Sequence, residues 1–284
     1  MKIGLSAEST VDLTKEMISE LNVSIIPYRI LLGGQDAYDG EITTDEIIQK
    51  VNETGELPKT SAINEFAYKE YFTSLLEKGY DKVIHFTLSG EMSSSNRNAV
   101  NASKDFGGKV EVIDSRSLST GIALLVLYAR KLIDKGEGFD SIVKKCKERI
   151  PFVNASFVLE RLDYLFKGGR CSALSYFGAN LLKLRPQIVV QDGKMSPLKK
   201  FRGTSEMVVR KYCEETFLLF DNPDLEEVFI TYTTATPEMV ETAKQMLVER
   251  GFKNIHITRA GATITSHCGE RCLGVLYIND GGKN

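Results

Sequence analysis

Hydroxyl side chains gather after short apolar runs in this chain, and hydroxyls so placed can cap a helix or hold an anion. Glu8-Ser9-Thr10-Val11-Asp12-Leu13 follows the run from Lys2 to Leu5. Leu88-Ser89-Gly90-Glu91-Met92-Ser93-Ser94-Ser95-Asn96 follows Lys82 to Thr87, and Asp114-Ser115-Arg116-Ser117 follows Val110 to Ile113. Ser and Thr are favoured N-caps whatever the function. Three such loops at three successive strand ends also suit a ligand, because open parallel sheets bind ligands beyond the carboxyl ends of their strands. Ser93 to Ser95 should open a helix, whose unsatisfied backbone N–H groups attract an anion. Leu57-Pro58-Lys59-Thr60-Ser61 also precedes a helix. Pro58 fixes a bend, and a cap needs one hydroxyl of Thr60 and Ser61, leaving the other for a ligand.

Two further groups bear charge. Lys167-Gly168-Gly169-Arg170 ends a predicted helix, where the glycines permit a left-handed stop. Arg170 can meet the negative end of that helix or aim its guanidinium at a fixed anion. His267 lies in Ser266-His267-Cys268-Gly269, read as a loop with room for a ligand. His85 and His256 sit among apolar residues and read as core or surface. The five cysteines are scattered and odd in number, which fits reduced thiols. Cys268 and Cys272 are close, with His267 beside them, but no second pair completes a zinc site, so no metal and no cofactor is expected.

The elements that must position these groups alternate. Strands are predicted at 2–5, 23–27, 82–87 and 110–113, with helices over 14–21, 65–77, 93–106, 120–135 and 139–149. That order predicts a parallel sheet covered by helices. After Pro151 come a strand at 155–158, a helix at 161–166 and a hairpin around Asp192-Gly193. A β-α-β pattern over 228–258 and a last strand at 273–278 complete the chain. The expectation is α/β with two domains: residues 1–150 around a parallel sheet, and residues 151–284 around a mixed sheet. Length (284 residues), 42% hydrophobic and 26% charged residues fit a soluble globular protein. A net charge of -2 gives no field for nucleic acid, and Lys199-Lys200-Phe201-Arg202 reads as a solvated face. With neither a signal peptide nor a membrane-length apolar run, a cytoplasmic location is expected.

In this order the pieces resemble the DegV family of bacterial fatty-acid-binding proteins, the carrier subunits of fatty acid kinase. The matching segments are Glu8 to Leu13, Pro58 to Ser61, Met92 to Ser95 with Ala99, and Ile113 to Ser115. Asp163 to Leu165 with Gly168 to Arg170, Leu181-Leu182 with Pro186 and Asp192-Gly193, and His267 with Gly269 and Leu273-Gly274 complete the set. The resemblance implies an acyl chain held in a tunnel and a carboxylate bonded by Thr60 and Ser93. It also implies that Ser61 and Ser94 are lipid-binding, that His267 helps hold the carboxylate, and that Arg170 is needed for phosphorylation by a partner kinase. It implies a carrier without a catalytic centre. The family usually has Gly at Ser94, an aromatic at Asn96, Asp at Glu8 and Gly-Pro-Gly at Gly269-Glu270-Arg271. The last difference is expected to put charge at the pocket mouth.

Burying a CH2 is worth about 0.8 kcal/mol, so a 16-carbon tail offers roughly 11 kcal/mol. Head-group bonds then need only satisfy the carboxylate. Candidate tail-lining residues are Ile25, Ile26, Leu31, Ile84, Phe86, Leu118, Ile122, Leu181 and Leu182. Competing readings are a different amphiphile, a nucleotide-binding enzyme, or a serine hydrolase using Ser93 or Ser9 with His267 and Asp114. No phosphate-binding glycine motif follows a strand, and no Gly-x-Ser-x-Gly elbow is present.

Overall fold

The computed structural model describes residues 1–171 and 184–283. Strands β1 (Ile3–Glu8), β2 (Val23–Ile26), β6 (Lys82–Thr87) and β7 (Val110–Asp114) form a parallel sheet in the order β2-β1-β6-β7. Helices α3 (Glu65–Glu77) and α4 (Ser95–Ser103) pack together against it. A second sheet holds β8 (Val153–Val158), β9 (Arg185–Gln191), β10 (Lys194–Phe201), β11 (Glu227–Tyr232), β12 (Asn254–Arg259) and β13 (Leu273–Ile278). Its order is β10-β9-β8-β13-β11-β12, and only β11 and β12 run parallel. Helices α8 (Ser205–Leu219) and α9 (Pro237–Arg250) cover one of its faces. The fold is α/β with one parallel and one mixed sheet, as the alternation predicts.

Between the sheets lies α5 (Thr120–Asp134), which touches β1 and β6 on one side and β8, β11 and β13 on the other. Residues Thr120 to Val126 are all buried. A helix apolar on every side belongs in a core, and this one makes the core continuous: Leu5, Ile84 and Phe86 share a cluster with Ala155, Phe157 and Leu276. Helix α6 (Phe139–Arg149) adds Arg149, whose guanidinium is buried against Asp224 at 2.7 Å and Asp280 at 2.8 Å.

A third, small sheet comes from β3 (Arg29–Leu32), β4 (Gln35–Tyr38) and β5 (Lys59–Ser61), with α2 (Thr44–Thr54) beside it. Ile30, Leu32, Ile47 and Val51 form its core with Tyr164 and Ala262. Tyr164 belongs to α7 (Asp163–Lys167) and Ala262 to α10 (Ala262–Cys268), so this sheet is fixed to the site-bearing helices of the second half. Helix α1 (Lys15–Glu20) joins β1 to β2. No helix among the described residues is long and apolar enough to cross a membrane.

Candidate functional site

Four of the candidate residues face one cavity at the carboxyl ends of the parallel strands: Thr60, Ser93, Arg170 and His267. Thr60 points inward from β5 while its neighbours Lys59 and Ser61 stay exposed, as strand alternation requires. Ser93 comes from the turn before α4, and Arg170 from the turn after α7. Ser61 and Ser94 are exposed and do not line the cavity.

Three local expectations change. Residues 57–61 do not lead directly into a helix; β5 intervenes, and α3 is capped by Asn64, whose Oδ1 accepts from Ala67 N at 2.9 Å. The helix expected at Ser93 begins at Ser95. Ser93 N donates to Ser89 O at 3.1 Å and Ser95 N to Ser93 Oγ at 3.1 Å, so these two N–H groups are already used. His267 sits on α10 rather than in a loop. That helix starts at small and β-branched residues without helical periodicity. Its first N–H groups are satisfied from afar: Gly261 N donates to Asp12 Oδ1 at 2.8 Å, and Ala262 N and Thr263 N donate to Asp39. Ser9 ties the arrangement to the first sheet, donating to Asp39 at 2.9 Å and accepting from Tyr28 N at 3.1 Å. Burial raises the Asp12 carboxyl to about 8, against the bonds from Ser119 and Gly261 that lower it.

The hydrogen of the Thr60 hydroxyl can be placed. Burial, with the Arg170 guanidinium nearby, lowers His267 to about 4, so the ring is neutral at pH 7. Its Nδ1 is buried without a partner, and a buried N–H without an acceptor costs about 1–3 kcal/mol. The hydrogen therefore belongs on Nε2, which donates to Thr60 Oγ1 at 2.8 Å. The Thr60 hydroxyl hydrogen is then left for the cavity. Gly168 makes this possible, since a Cβ there would stand 2.6 Å from His267 Nδ1. Gly169 supplies the left-handed turn at φ 69°.

Behind Ser93 lies a network that sequence reasoning missed. Glu8 is fully buried at the end of β1. Its Oε1 accepts from Tyr68, and its Oε2 accepts from Leu88 N at 2.6 Å and Tyr28 at 3.3 Å. Tyr28 also lies 3.1 Å from Ser93 Oγ. Burial raises the Glu8 carboxyl to about 6 even with these donors. The position of Glu8 in the first hydroxyl-rich loop was visible, but its tyrosine partners come from other elements and leave no local pattern.

The remaining wall is mostly apolar, with Leu88, Met92, Leu118, Met195 and Ile264, and adds the Thr263 hydroxyl, buried without a partner among the described residues. The enclosed space is small, about 50 Å3. A second space of about 20 Å3 shares Leu118, Ile264 and Cys268 with it and runs along Phe157 and Leu276 of the six-stranded sheet. Of the candidate tail-lining residues, Leu118 alone among those described lines either space. Ile26, Ile84, Phe86 and Ile122 belong to the core, Ile25 packs against it, and Leu31 is exposed. Leu181 and Leu182 lie outside the described residues. Glu270 and Arg271 line neither space, so the charge expected at the mouth is not there; Glu270 instead meets Arg161 at 3.7 Å. The hairpin predicted at Asp192-Gly193 closes over the strand ends: Ser89 Oγ donates to Gly193 O at 2.7 Å and Arg116 to Asp192 O at 2.5 Å.

No hydrolytic triad assembles from the candidates. His267 bonds Thr60, Ser9 bonds Asp39, and Asp114 accepts from Gly90 N and Arg116 N. His85 is fully buried and bonds Ser6 at 2.8 Å, while His256 bonds Glu227, both away from the cavity.

The chain is similar to known proteins along nearly its whole length. A Thermotoga maritima protein named fatty acid-binding protein is 28% identical over 284 residues, covering 96% of each chain. A solved structure described as fatty acid binding of a DegV family protein from Thermus thermophilus superposes with a TM-score of 0.90 at 26% identity. It covers 98% of this chain and 100% of its own. The fatty acid kinase B3 protein of Streptococcus pneumoniae, solved loaded with linoleic acid, shares the fold with a TM-score of 0.83 at 22% identity. There the coverage is 99% and 100%. The profile of the DegV family, described as uncharacterised protein, matches residues 2–280, and the chain belongs to that family.

Proposed function

We propose that this protein binds a long-chain fatty acid, with the carboxylate against Thr60 and Ser93 and the tail in the apolar space beneath them. One observation carries the reading: two hydroxyls, each already accepting a hydrogen bond from behind, face one largely apolar cavity. A hydroxyl whose acceptor side is occupied is a donor to whatever lies in front, which suits a carboxylate. The two small spaces sharing Leu118, Ile264 and Cys268 mark the apolar route that a tail would open by moving these side chains. The fatty acid-binding relative of Thermotoga maritima and the Thermus thermophilus structure support the same ligand class.

The role is carriage rather than catalysis. Exposed Arg170 stands at the mouth of the cavity, its Nη1 donating to Gly168 O at 2.5 Å. A cation there suits an acyl phosphate made by a partner kinase. Calorimetric titration with a long-chain acid and its methyl ester tests the binding reading. The acid should bind more tightly by about 1–3 kcal/mol, because the ester offers a weaker acceptor to both hydroxyls. Equal affinity for acid and ester would remove the carboxylate site. Arg170→Ala should leave acid binding within a few-fold and abolish acyl-phosphate formation with a bacterial fatty acid kinase. A large loss of binding would instead put Arg170 in the head-group site.

A further inference from the structure

Tyr28 has one hydroxyl hydrogen and two oxygens within reach: Glu8 Oε2 at 3.3 Å and Ser93 Oγ at 3.1 Å. It cannot donate to both. An ionised Glu8 is the stronger acceptor and takes that hydrogen. The Tyr28 oxygen is then open to accept, and the donor in front of it is the Ser93 hydroxyl. The Ser93 hydrogen is drawn backward, away from the cavity. A proton on Glu8 Oε2 reverses the chain. Glu8 donates to Tyr28, Tyr28 donates to Ser93, and Ser93 donates into the cavity. Ser93 Oγ then accepts from both Tyr28 and Ser95 N, and its hydrogen has nowhere else to go.

The groups facing Glu8 are Tyr28 from the β2–β3 connection, Tyr68 from α3, Ser95 from α4 and Leu88 N after β6. None carries a positive charge, and Glu8 is in no ion pair among the described residues. Behind Tyr68 stands His85, with ring centroids 5.4 Å apart, held neutral by burial. A second anion at Ser93 would therefore face an ionised Glu8 through a single tyrosine oxygen, in a buried setting where like charges repel strongly.

We infer that an anionic head group and an ionised Glu8 exclude one another, so that binding the anion draws one proton from solvent onto Glu8 through the Glu8–Tyr28–Ser93 chain. This deepens the fatty-acid reading and rests on it. The proton comes from water or buffer and ends on Glu8 Oε2; no other bond changes. Glu8 thereby becomes the residue that makes Ser93 a donor, though it never touches the ligand.

The experiment uses a long-chain alkyl sulfonate, which cannot itself be protonated, and a fatty alcohol of equal length, which carries no charge. Each is titrated into the whole protein by calorimetry in buffers of different ionisation enthalpy. At pH 7.5 the sulfonate should take up about one proton per site and the alcohol none. Above pH 6, where free Glu8 ionises, sulfonate affinity should fall about tenfold per pH unit. Glu8→Gln should bind sulfonate without proton uptake and without that slope. Asp12→Asn, which changes the other raised carboxyl, should keep both, which excludes Asp12 as the proton's destination even if the Gln variant does not fold. Sulfonate binding without uptake, uptake retained in Glu8→Gln, or uptake lost in Asp12→Asn would overturn the inference while leaving lipid binding standing. Failure of every lipid to bind would remove the fatty-acid reading and this inference together.

Discussion

Thr60 and Ser93 can donate forward only where neighbouring groups fill their acceptor positions, and that dependence sets what substitution should do. Thr60→Val keeps the shape and removes the hydroxyl. It should weaken acid binding by about 1–3 kcal/mol and also strand the His267 N–H. Ser93→Ala should cost a similar amount; calorimetry reads both, and wild-type affinity in either variant would argue against that contact. Asp12 offers a stability test. Its carboxyl ionises near 3.8 when unfolded and near 8 when buried. The native state thus holds the proton more tightly, so this stabilisation is present at low pH and is lost as pH rises from about 4 to about 8. Asp12→Asn, close in shape to the protonated acid, should gain stability relative to wild type across that window in urea denaturation. Thr60, Ser93, Arg170 and His267 were legible as candidates because hydroxyl-rich loops and a Gly-Gly turn are local features. Glu8, Tyr28 and Tyr68 were not read as a network, because their meeting depends on three separate elements.

At the scale of elements, α10 decides the site. It carries His267, Thr263, Ile264 and Cys268 into the cavity wall, and its N-terminus is held by Asp39 from the end of β4. Asp39→Ala should lower stability by about 1–2 kcal/mol, the usual worth of an N-cap, and weaken acid binding as the helix start loosens. Chemical denaturation and ligand titration on the same variant check both; unchanged binding would mean α10 needs no such anchor. Sequence periodicity could not reveal α10, whose cap lies more than two hundred positions away. The small β3–β4–β5 sheet and α2 were also unread, yet they had signals. Gly33-Gly34 stands between two four-residue strands as a hairpin turn would. Thr43 and Glu46 form a capping box at α2. By contrast α3, α6 and β13 were plain, because long apolar periodicity or a continuous apolar run marks them.

Across the whole molecule, two sheets share one core through α5. We propose a division of the strands near Pro151, with residues 1–150 supplying the parallel sheet and 151–284 the mixed one. The continuous cluster across α5 ties the two together energetically. Leu125→Ala, at a fully buried position of α5, should cost about 2–5 kcal/mol and shift one unfolding transition common to both halves. Two separated transitions would show instead that the halves fold independently. That shared interior is also where the cavity lies, with Leu118 beside α5 and Phe157 and Leu276 on the six-stranded sheet. A ligand there contacts both halves and should stabilise the molecule as a whole. The sheets could be read from strand-helix alternation, but the space between them could not, since the same apolar residues make equally good core. Native mass spectrometry of the purified protein is therefore the most direct test. A mass increment matching one long-chain fatty acid per chain, released on denaturation, is the expected result. Well-folded protein that carries no lipid and gains no thermal stability from any added fatty acid would contradict the account.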